Sequence, residues 1–318
     1  MASNSKEVAT DLSPLIKVYR DGTMERFFGS PYVPPSLEDL TTDVSLKDIT
    51  ISPDFSARLF LPKIKDLSQK LPILVYFHCR GFCTESALSV LHHYYLNLLV
   101  SEANALAVSV EYRLAPEHSL PAAYQDCWDA LQWVATHVVD NSNIDKEPWL
   151  LQHGNFDELY IGGDSSSANI VHNMAMRAGV ESLYRDVKIL GGFLSHPFFW
   201  DPKNKTENVK ESMIYRVWKL VYPSAPGGLD NPMINPLADD APSLFQIGCS
   251  RLFVCISEKD ELRERTGLYV ETLKKSGWKG EVELVEVEGQ DHCFHIFNLK
   301  SEKDKSLVKL LASFINHK

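Results

Sequence analysis

The stretch from Glu158 to Asn173, ELYIGGDSSSANIVHN, constrains the fold more than any other part of the chain. Its first apolar residues, Leu159 to Ile161, are typical of a short buried strand. A turn rich in glycine and serine follows, and after it apolar residues recur at helical spacing, at Ala168, Ile170, Val171 and Met174. A sharp turn from strand to helix exposes a serine hydroxyl beside the free N–H groups of a helix N-terminus. The pattern therefore predicts a nucleophilic Ser165 at this corner.

The turn departs from the usual form of such a corner, which is G-x-S-x-G. Residues Gly163 to Ser167 read G-D-S-S-S, so a serine replaces the last glycine. Serine and aspartate are also common helix caps, so this stretch alone fits either a nucleophile or a serine-rich cap. Residues elsewhere in the chain have to separate the two interpretations.

Short apolar runs alternate with helical patterns along most of the 318 residues. The predicted strands, besides the one before Ser165, are 55–61, 72–77, 106–112, 188–193, 251–256 and 282–287. This alternation predicts an α/β fold with a mostly parallel central sheet and helices on both faces. In such sheets, ligands and chemistry collect at the carboxyl ends of the strands. The polar residues that follow predicted strands are His78, Ser165, Asp260 and His292.

Three of these residues form a candidate catalytic set. A serine hydroxyl needs a base to accept its proton, and that base needs an acid to hold its tautomer. Ser165, Asp260 and His292 follow one another in the order Ser, acid, His that strand-to-helix serine nucleophiles use. Each has an alternative interpretation. Asp260 is also placed to cap the helix that starts near Arg263, and His295 competes with His292 for the role of base.

An oxyanion site is the fourth requirement of this chemistry. The strand before His78 leads into His78-Cys79-Arg80-Gly81, where an H-G-G-G loop would be expected. We predict main-chain N–H donors at Arg80, Gly81 and Ser166. Arg80 within the pocket would bind a carboxylate or the oxyanion itself. The alternative is a strand end with a structural role only.

Composition argues against several classes of binding partner. The formal net charge of −10 argues against nucleic acid, and the absence of an apolar run of about 18 residues argues against a membrane span. The first residues lack the apolar core of a secretory signal, and the six cysteines are scattered without metal-ligand spacing. We therefore expect a cytoplasmic protein with reduced thiols that uses no metal or cofactor.

Two segments rich in proline, glycine or asparagine, at about 1–45 and 200–245, are predicted cap pieces of a single domain that spans 1–318. The first ~50 residues read as irregular, with a hairpin turn at Tyr19 to Thr23. Aromatic residues in or near these pieces suggest an apolar or polycyclic small-molecule ligand, or packing of the cap on the core. They are Phe27, Phe28, Phe199, Trp200, Tyr215 and Trp218.

Nearly the whole chain resembles the plant carboxylesterase-like proteins of the hormone-sensitive-lipase group. The resemblance rests on FHCRGF, EYRLAPEHSLPAAYQDCWDALQWV, GGDSSSANIVHN and the tail that contains EKDELRER and DHCFHIF. It implies an α/β-hydrolase fold with a cap, Ser165 as nucleophile, Asp260 as orienting acid and His292 as base. His78 to Gly81 correspond to the family's HGGG, and Gly163 to Ser167 to its GDSAG. Cys79, Arg80 and Ser167 stand where the esterases of this family have glycine.

Two branches of this family resemble the chain most. The segment VWKLVYPSAPGGLDNPMINPLADDAPSL is similar to alkaloid cyclases such as tabersonine and catharanthine synthases, and EPWLLQH and PFFW are similar to 2-hydroxyisoflavanone dehydratase. We expect a serine carboxylesterase that acts on an ester of a plant specialised metabolite, such as an alkaloid methyl ester whose acid then decarboxylates. The alternatives are a lyase, cyclase or dehydratase that works without an acyl-enzyme, and a non-catalytic ligand receptor, because fold alone does not fix the reaction.

Overall fold

The computed structural model describes residues 6–36, 42–66, 68–138, 146–200, 209–297 and 302–316. The strands are β1 (Val8–Leu12), β2 (Ile16–Tyr19), β3 (Met24–Arg26), β4 (Ser45–Thr50), β5 (Ser56–Leu61), β6 (Leu71–Phe77), β7 (Leu106–Glu111), β8 (Gly154–Asp164), β9 (Ile189–Ser195), β10 (Cys249–Ser257) and β11 (Glu281–Val287). The helices are α1 (Val90–Ala103), α2 (Ala122–Ala135), α3 (Pro148–His153), α4 (Ser166–Ala178), α5 (Met213–Val221), α6 (Arg263–Lys275), α7 (Phe294–Phe297) and α8 (Glu302–Asn316).

Eight strands form the central sheet in the order β11-β10-β9-β8-β6-β7-β5-β4. The neighbouring pairs from β11 to β7 are parallel, and β5 and β4 join antiparallel at one edge. Each central parallel strand is buried on both faces, which explains why strands such as β6 read as continuous apolar runs. The predicted mostly parallel sheet is confirmed.

Helices cover both faces of this sheet, as predicted. Alternate residues of β6 belong to two separate apolar cores. Ile73, Val75 and Phe77 pack in the core that includes residues of α2, α4 and α6. Leu74 and Tyr76 pack in the core that includes residues of α1 and α8. The central sheet, from which the site residues extend, is therefore packed against helices on both of its faces.

The N-terminal region differs from the irregular segment expected. Strands β1, β2 and β3 form a small antiparallel sheet of their own, and β4 joins the central sheet. The β2–β3 hairpin turns at Tyr19 to Thr23, as predicted, where the Tyr19 N–H donates to the Thr23 carbonyl at 2.9 Å. These strands are short and partly exposed, so polar residues such as Lys17 and Glu25 interrupt the apolar pattern that marks a strand.

The two predicted cap pieces meet in the structure. Helix α5 of the second piece packs against β1 of the first, and the Arg216 side chain donates to the Asp11 carbonyl. Residues 1–5, 37–41 and 201–208 of these pieces lie outside the described residues. The boundaries of the cap remain a prediction.

Candidate active site

Ser165 lies at the corner between β8 and α4. Its φ is 56° and its ψ is −117°, a conformation that non-glycine residues rarely adopt outside tight functional turns. Main-chain hydrogen bonds hold the corner in place. The Ser165 N–H donates to the Ser195 carbonyl at 2.8 Å, and the Ser165 carbonyl accepts from Phe198 N–H at 3.0 Å. The strand-to-helix turn predicted from the sequence thus sets the serine above the carboxyl edge of the sheet.

Ser167, which departs from the usual motif, tightens this turn. Its hydroxyl accepts from the Asp164 N–H at 2.9 Å and donates to the Asp164 carbonyl at 2.8 Å. Gly163 lies against the same residue. A Cβ atom at Gly163 would lie 2.7 Å from the carbonyl carbon and oxygen of Ser167, so the turn closes only over a glycine. The motif's first glycine is required by close packing, and its last position accommodates a serine.

The predicted serine, histidine and aspartate form a continuous hydrogen-bonded chain. His292 Nε2 lies 2.8 Å from Ser165 Oγ, and His292 Nδ1 lies 2.8 Å from Asp260 Oδ2. A carboxylate can only accept, so Asp260 holds the proton of neutral His292 on Nδ1. Nε2 is then the acceptor that faces the serine hydroxyl. This arrangement can remove the proton of Ser165 as the hydroxyl attacks an electrophile.

Asp260 serves the local backbone as well as the histidine. Its Oδ1 accepts from the Leu262 N–H at 2.9 Å in the turn before α6, but the N-cap residue of α6 is Leu262, so the capping alternative for Asp260 is wrong. Burial raises the pKa of Asp260, but the hydrogen bond and the charge of His292 outweigh burial, and the pKa is lowered overall. The carboxylate is therefore ionised while it orients His292.

His295, the competing candidate for the base, lies on another contact. Its Nε2 is 2.8 Å from Asp164 Oδ1, and both side chains are fully buried. The Tyr76 hydroxyl donates to Asp164 Oδ2 at 2.7 Å. Sequence reasoning did not find this second buried pair, although both residues lie within three positions of a predicted site residue. The pair lies beneath the turn, and neither residue lines the cavity that holds Ser165 and His292.

The loop after β6 carries the predicted oxyanion donors. His78 is buried and stacks on Tyr112 with ring centroids 4.3 Å apart, while the Tyr112 hydroxyl donates to the His78 carbonyl at 2.6 Å. The Gly81 N–H donates to Ser166 Oγ at 2.9 Å, so this loop is tied to the residue after the nucleophile. Ser166 is the first residue of α4, where main-chain N–H groups lack intrahelical acceptors. Arg80 and Gly81 line the same cavity as Ser165, and Ser166 directly follows Ser165, but the Gly81 N–H is engaged by Ser166 Oγ, so the three-donor oxyanion site stays a prediction.

A cavity of about 540 Å³ opens over the serine. Ser165, His292 and Asp260 form its polar floor, and apolar residues form much of its wall, among them Leu15, Phe28, Phe198, Met213, Val217 and Phe297. Of the six aromatic residues that suggested a ligand, Phe28 lines this cavity. Phe199, Trp200 and Trp218 are buried in the main core, where packing accounts for them.

No helix within the described ranges is both long and apolar enough to cross a bilayer.

Comparison of the chain with known proteins identifies its family. A family model described as an alpha/beta hydrolase fold matches residues 74–296. The chain is 51% identical to 2-hydroxyisoflavanone dehydratase of Glycyrrhiza echinata over 98% of each chain. It is also 51% identical to catharanthine synthase of Catharanthus roseus, over 98% of this chain and 97% of the synthase.

A solved esterase of Pyrobaculum calidifontis superposes with a TM-score of 0.67 at 26% identity, covering 85% of this chain and 84% of the esterase. The predicted fold and the predicted resemblance are both confirmed. The protein belongs to the alpha/beta-hydrolase family, is of the plant carboxylesterase type, and is close to the alkaloid synthases and to isoflavanone dehydratase.

Proposed function

We propose that this protein is a serine carboxylesterase that cleaves an ester of a plant specialised metabolite. The observation that carries the proposal is the unbroken chain from Asp260 through His292 to Ser165, with both contacts at 2.8 Å. A protein that only bound its ligand would need no such alignment. The esterase likeness of the fold and the specialised-metabolite enzymes among the relatives support the substrate class.

The reaction follows from the positions of these atoms. Ser165 Oγ attacks the ester carbonyl while His292 Nε2 accepts the hydroxyl proton. The predicted main-chain donors at Arg80 and Ser166 stabilise the negative charge on the carbonyl oxygen, and the Gly81 N–H joins them once the substrate displaces its contact with Ser166 Oγ. His292 returns the proton to the leaving alcohol, and an acyl group remains on Ser165. A water molecule, deprotonated by His292, then releases the acid and restores the serine.

The cavity is consistent with an ester of a sizeable apolar molecule. Its volume of about 540 Å³ lies within the range of sites for small organic ligands. The cavity wall includes residues of both predicted cap pieces. Phe28 comes from the N-terminal segment, and Met213 and Val217 come from α5. Alkaloid and isoflavonoid esters, including alkaloid methyl esters that decarboxylate after cleavage, are the first substrates to test.

A direct experiment compares the wild type with Ser165→Ala on a panel of such esters, with products followed by mass spectrometry. We expect Ser165→Ala to lower kcat by about 10⁴-fold or more, because the residual rate rests on binding and the oxyanion donors alone. Ser182→Ala removes an exposed hydroxyl and is the matched control. A fluorophosphonate probe should modify the wild type and leave Ser165→Ala unmodified. Full turnover by Ser165→Ala would overturn the proposal.

A second candidate function is elimination or cyclisation without an acyl-enzyme. The 51% identity to a dehydratase and to a synthase favours it. In that reaction His292 would transfer protons within the substrate, and Ser165 would act as a hydrogen-bonding group. The same experiment separates the two, because an acyl-enzyme requires the Ser165 oxygen. Turnover of a non-ester substrate with Ser165→Ala retaining about a tenth of the rate or more would support this second function.

A further inference from the structure

Arg80 lies in the wall of the cavity that holds Ser165 and His292. Its φ is 99°, a backbone conformation that residues with side chains rarely adopt. Strained residues of this kind persist where the surrounding structure fixes them, and they concentrate at functional sites. A cation at this strained position is therefore a candidate for a role in ligand binding.

Two aromatic rings hold the guanidinium of Arg80 in place. Its Cζ lies 4.2 Å from the ring centroid of Phe28 and 4.2 Å from that of Phe297. Phe28 belongs to the N-terminal segment, and Phe297 ends the short helix that follows His292. Cation–π contacts from two sides restrict the plane of the guanidinium and leave the N–H groups at its edge to find acceptors.

The acceptor for these N–H groups is missing within the described part of the chain. Arg80 Nε is buried there without a hydrogen-bond partner, and the described carboxylates make no ion pair with Arg80. Arg58 also buries one nitrogen, Nη1, without a hydrogen-bond partner, but its charge is paired with Asp48 at 2.7 Å, and Arg113 pairs with Asp126 at 2.7 Å. A guanidinium stays charged at all relevant pH values, and a buried N–H of that group without an acceptor is costly even where aromatic rings cover its faces. An anionic ligand would remove that cost.

We propose that Arg80 forms a carboxylate-binding subsite, so that the preferred substrate carries a free carboxylate in addition to the ester that Ser165 attacks. The guanidinium fork matches the two oxygens of a carboxylate, whereas a tetrahedral oxyanion offers one. The rim of the cavity also carries Glu261 and Asp291, and the chain has a net charge of −10. Lys259 also lines this cavity, but its side chain is exposed, so Arg80 is the cation held within the wall that can attract an anion there. This inference rests on the proposed esterase function.

The test uses two esters that differ only in charge, 4-acetoxybenzoate and 4-acetoxybenzamide. We expect the wild type to prefer the benzoate in kcat/KM, and Arg80→Gln to reduce that preference by about tenfold or more, as loss of a charged hydrogen bond predicts. Arg80→Lys keeps the charge without the fork and should retain part of the preference. The matched control is Lys259→Gln, which removes an exposed charge from the same cavity and should change the ratio by less than about threefold.

Two results would overturn the subsite. The benzoate preference could survive in Arg80→Gln, and equal slowing of both esters would then assign the guanidinium to the oxyanion. The preference could also fall equally in Lys259→Gln.

Calorimetry separates this proposal from the esterase function. The uncleaved amides 4-acetamidobenzoate and 4-acetamidobenzamide are titrated into Ser165→Ala, with and without Arg80→Gln. If the wild type cleaves no ester, but 4-acetamidobenzoate binds Ser165→Ala more tightly than it binds the double variant with Arg80→Gln, the subsite holds and the esterase function fails. If esters are cleaved through Ser165 and neither their rates nor the amide affinities depend on Arg80, the esterase function holds and the subsite fails.

Discussion

The carboxylate of Asp164 and the imidazole of His295 form a fully buried pair, with Oδ1 and Nε2 2.8 Å apart. Asp164 is the last residue of β8 and directly precedes Ser165, whereas His295 lies three residues after His292. One contact inside the protein therefore joins the segment that carries the nucleophile to the segment that carries the base. We infer that it sets the relative position of Ser165 and His292.

Asp164→Asn tests this inference. His295 and the Tyr76 hydroxyl each donate to a different oxygen of the Asp164 carboxylate. An amide replaces one of these oxygens by an NH₂ group, so one buried donor loses its acceptor. We expect the free energy of unfolding to fall by about 3 kcal/mol. Urea denaturation measures this value, and kcat is expected to fall with a smaller change in KM because the catalytic atoms are displaced. Asp157→Asn, at an exposed position of the same strand, is the control and should change stability by less than about 0.5 kcal/mol. Equal stability of the two variants would contradict the bracing role.

The sequence predicts most of the central sheet and the set of candidate catalytic residues. Continuous apolar runs such as the one at β6 have few alternatives, because a strand buried on both faces must be apolar throughout. The parallel order then brings strand ends to one edge, so Ser165, Asp260 and His292 could be grouped before any distance was known. This prediction rests on the order of the three residues in the chain and on their positions after predicted strands.

Contacts between side chains far apart in sequence could not be predicted in the same way. Nothing local distinguishes His292, which faces Ser165, from His295, which faces Asp164, because the choice depends on how the segment after β11 turns. The cation–π contacts of Arg80 with Phe28 and Phe297 also bring together residues from the N-terminal and C-terminal parts of the chain. Hydrophobic patterns record burial, and they do not record which buried groups meet.

Gly163→Ala should prevent the elbow from closing. The added Cβ would lie 2.7 Å from the Ser167 carbonyl group, and this backbone cannot move without shifting α4. We expect a loss of at least about 2 kcal/mol of stability, measured by thermal and urea unfolding, together with loss of probe labelling at Ser165. Gly267→Ala is the control, since a Cβ there meets no atom within 4 Å and lies within helix α6. That change should stabilise the protein by about 0.5–1 kcal/mol. A stable, fully labelled Gly163→Ala variant would show that the turn has more room than the structure gives it.

Asp260→Asn separates orientation of the base from its presence. The amide can donate to His292 Nδ1, which would move the histidine proton to Nε2 and remove the acceptor that faces Ser165. We expect kcat on a cleavable ester to fall by about 10⁴-fold while the protein remains folded. Steady-state kinetics and circular dichroism check both parts. Glu264→Gln changes an exposed carboxylate at the start of α6 and should leave kcat within about twofold. A decrease of less than tenfold in Asp260→Asn would mean that His292 does not depend on this carboxylate.

Stability is expected to fall as the pH is lowered from 7. Burial, together with the charge of His92, lowers the pKa of His78 from 6.5 to about 3, and burial lowers the pKa of His92 to about 4. Below pH 6.5 the unfolded chain therefore binds protons that the folded chain does not, which favours unfolding. Each such proton contributes about 1.4 kcal/mol per pH unit until the folded histidine titrates. Urea unfolding at pH 7, 6 and 5 measures the slope.

Glu111 opposes this trend, and its removal gives the sharper test. Burial raises the pKa of Glu111 from 4.5 to about 7, so between these values the folded protein holds a proton that the unfolded chain has released. Acidification from pH 7 to 4.5 therefore favours folding through this one group, with a sign opposite to that of the buried histidines. Glu111→Gln removes the opposing contribution, and we expect the loss of stability between pH 7 and 5 to become steeper by about 1 kcal/mol per pH unit. Glu102→Gln, at an exposed position of α1, should leave the slope unchanged. Parallel slopes for Glu111→Gln and the wild type would show that Glu111 is ionised in the folded protein across this range.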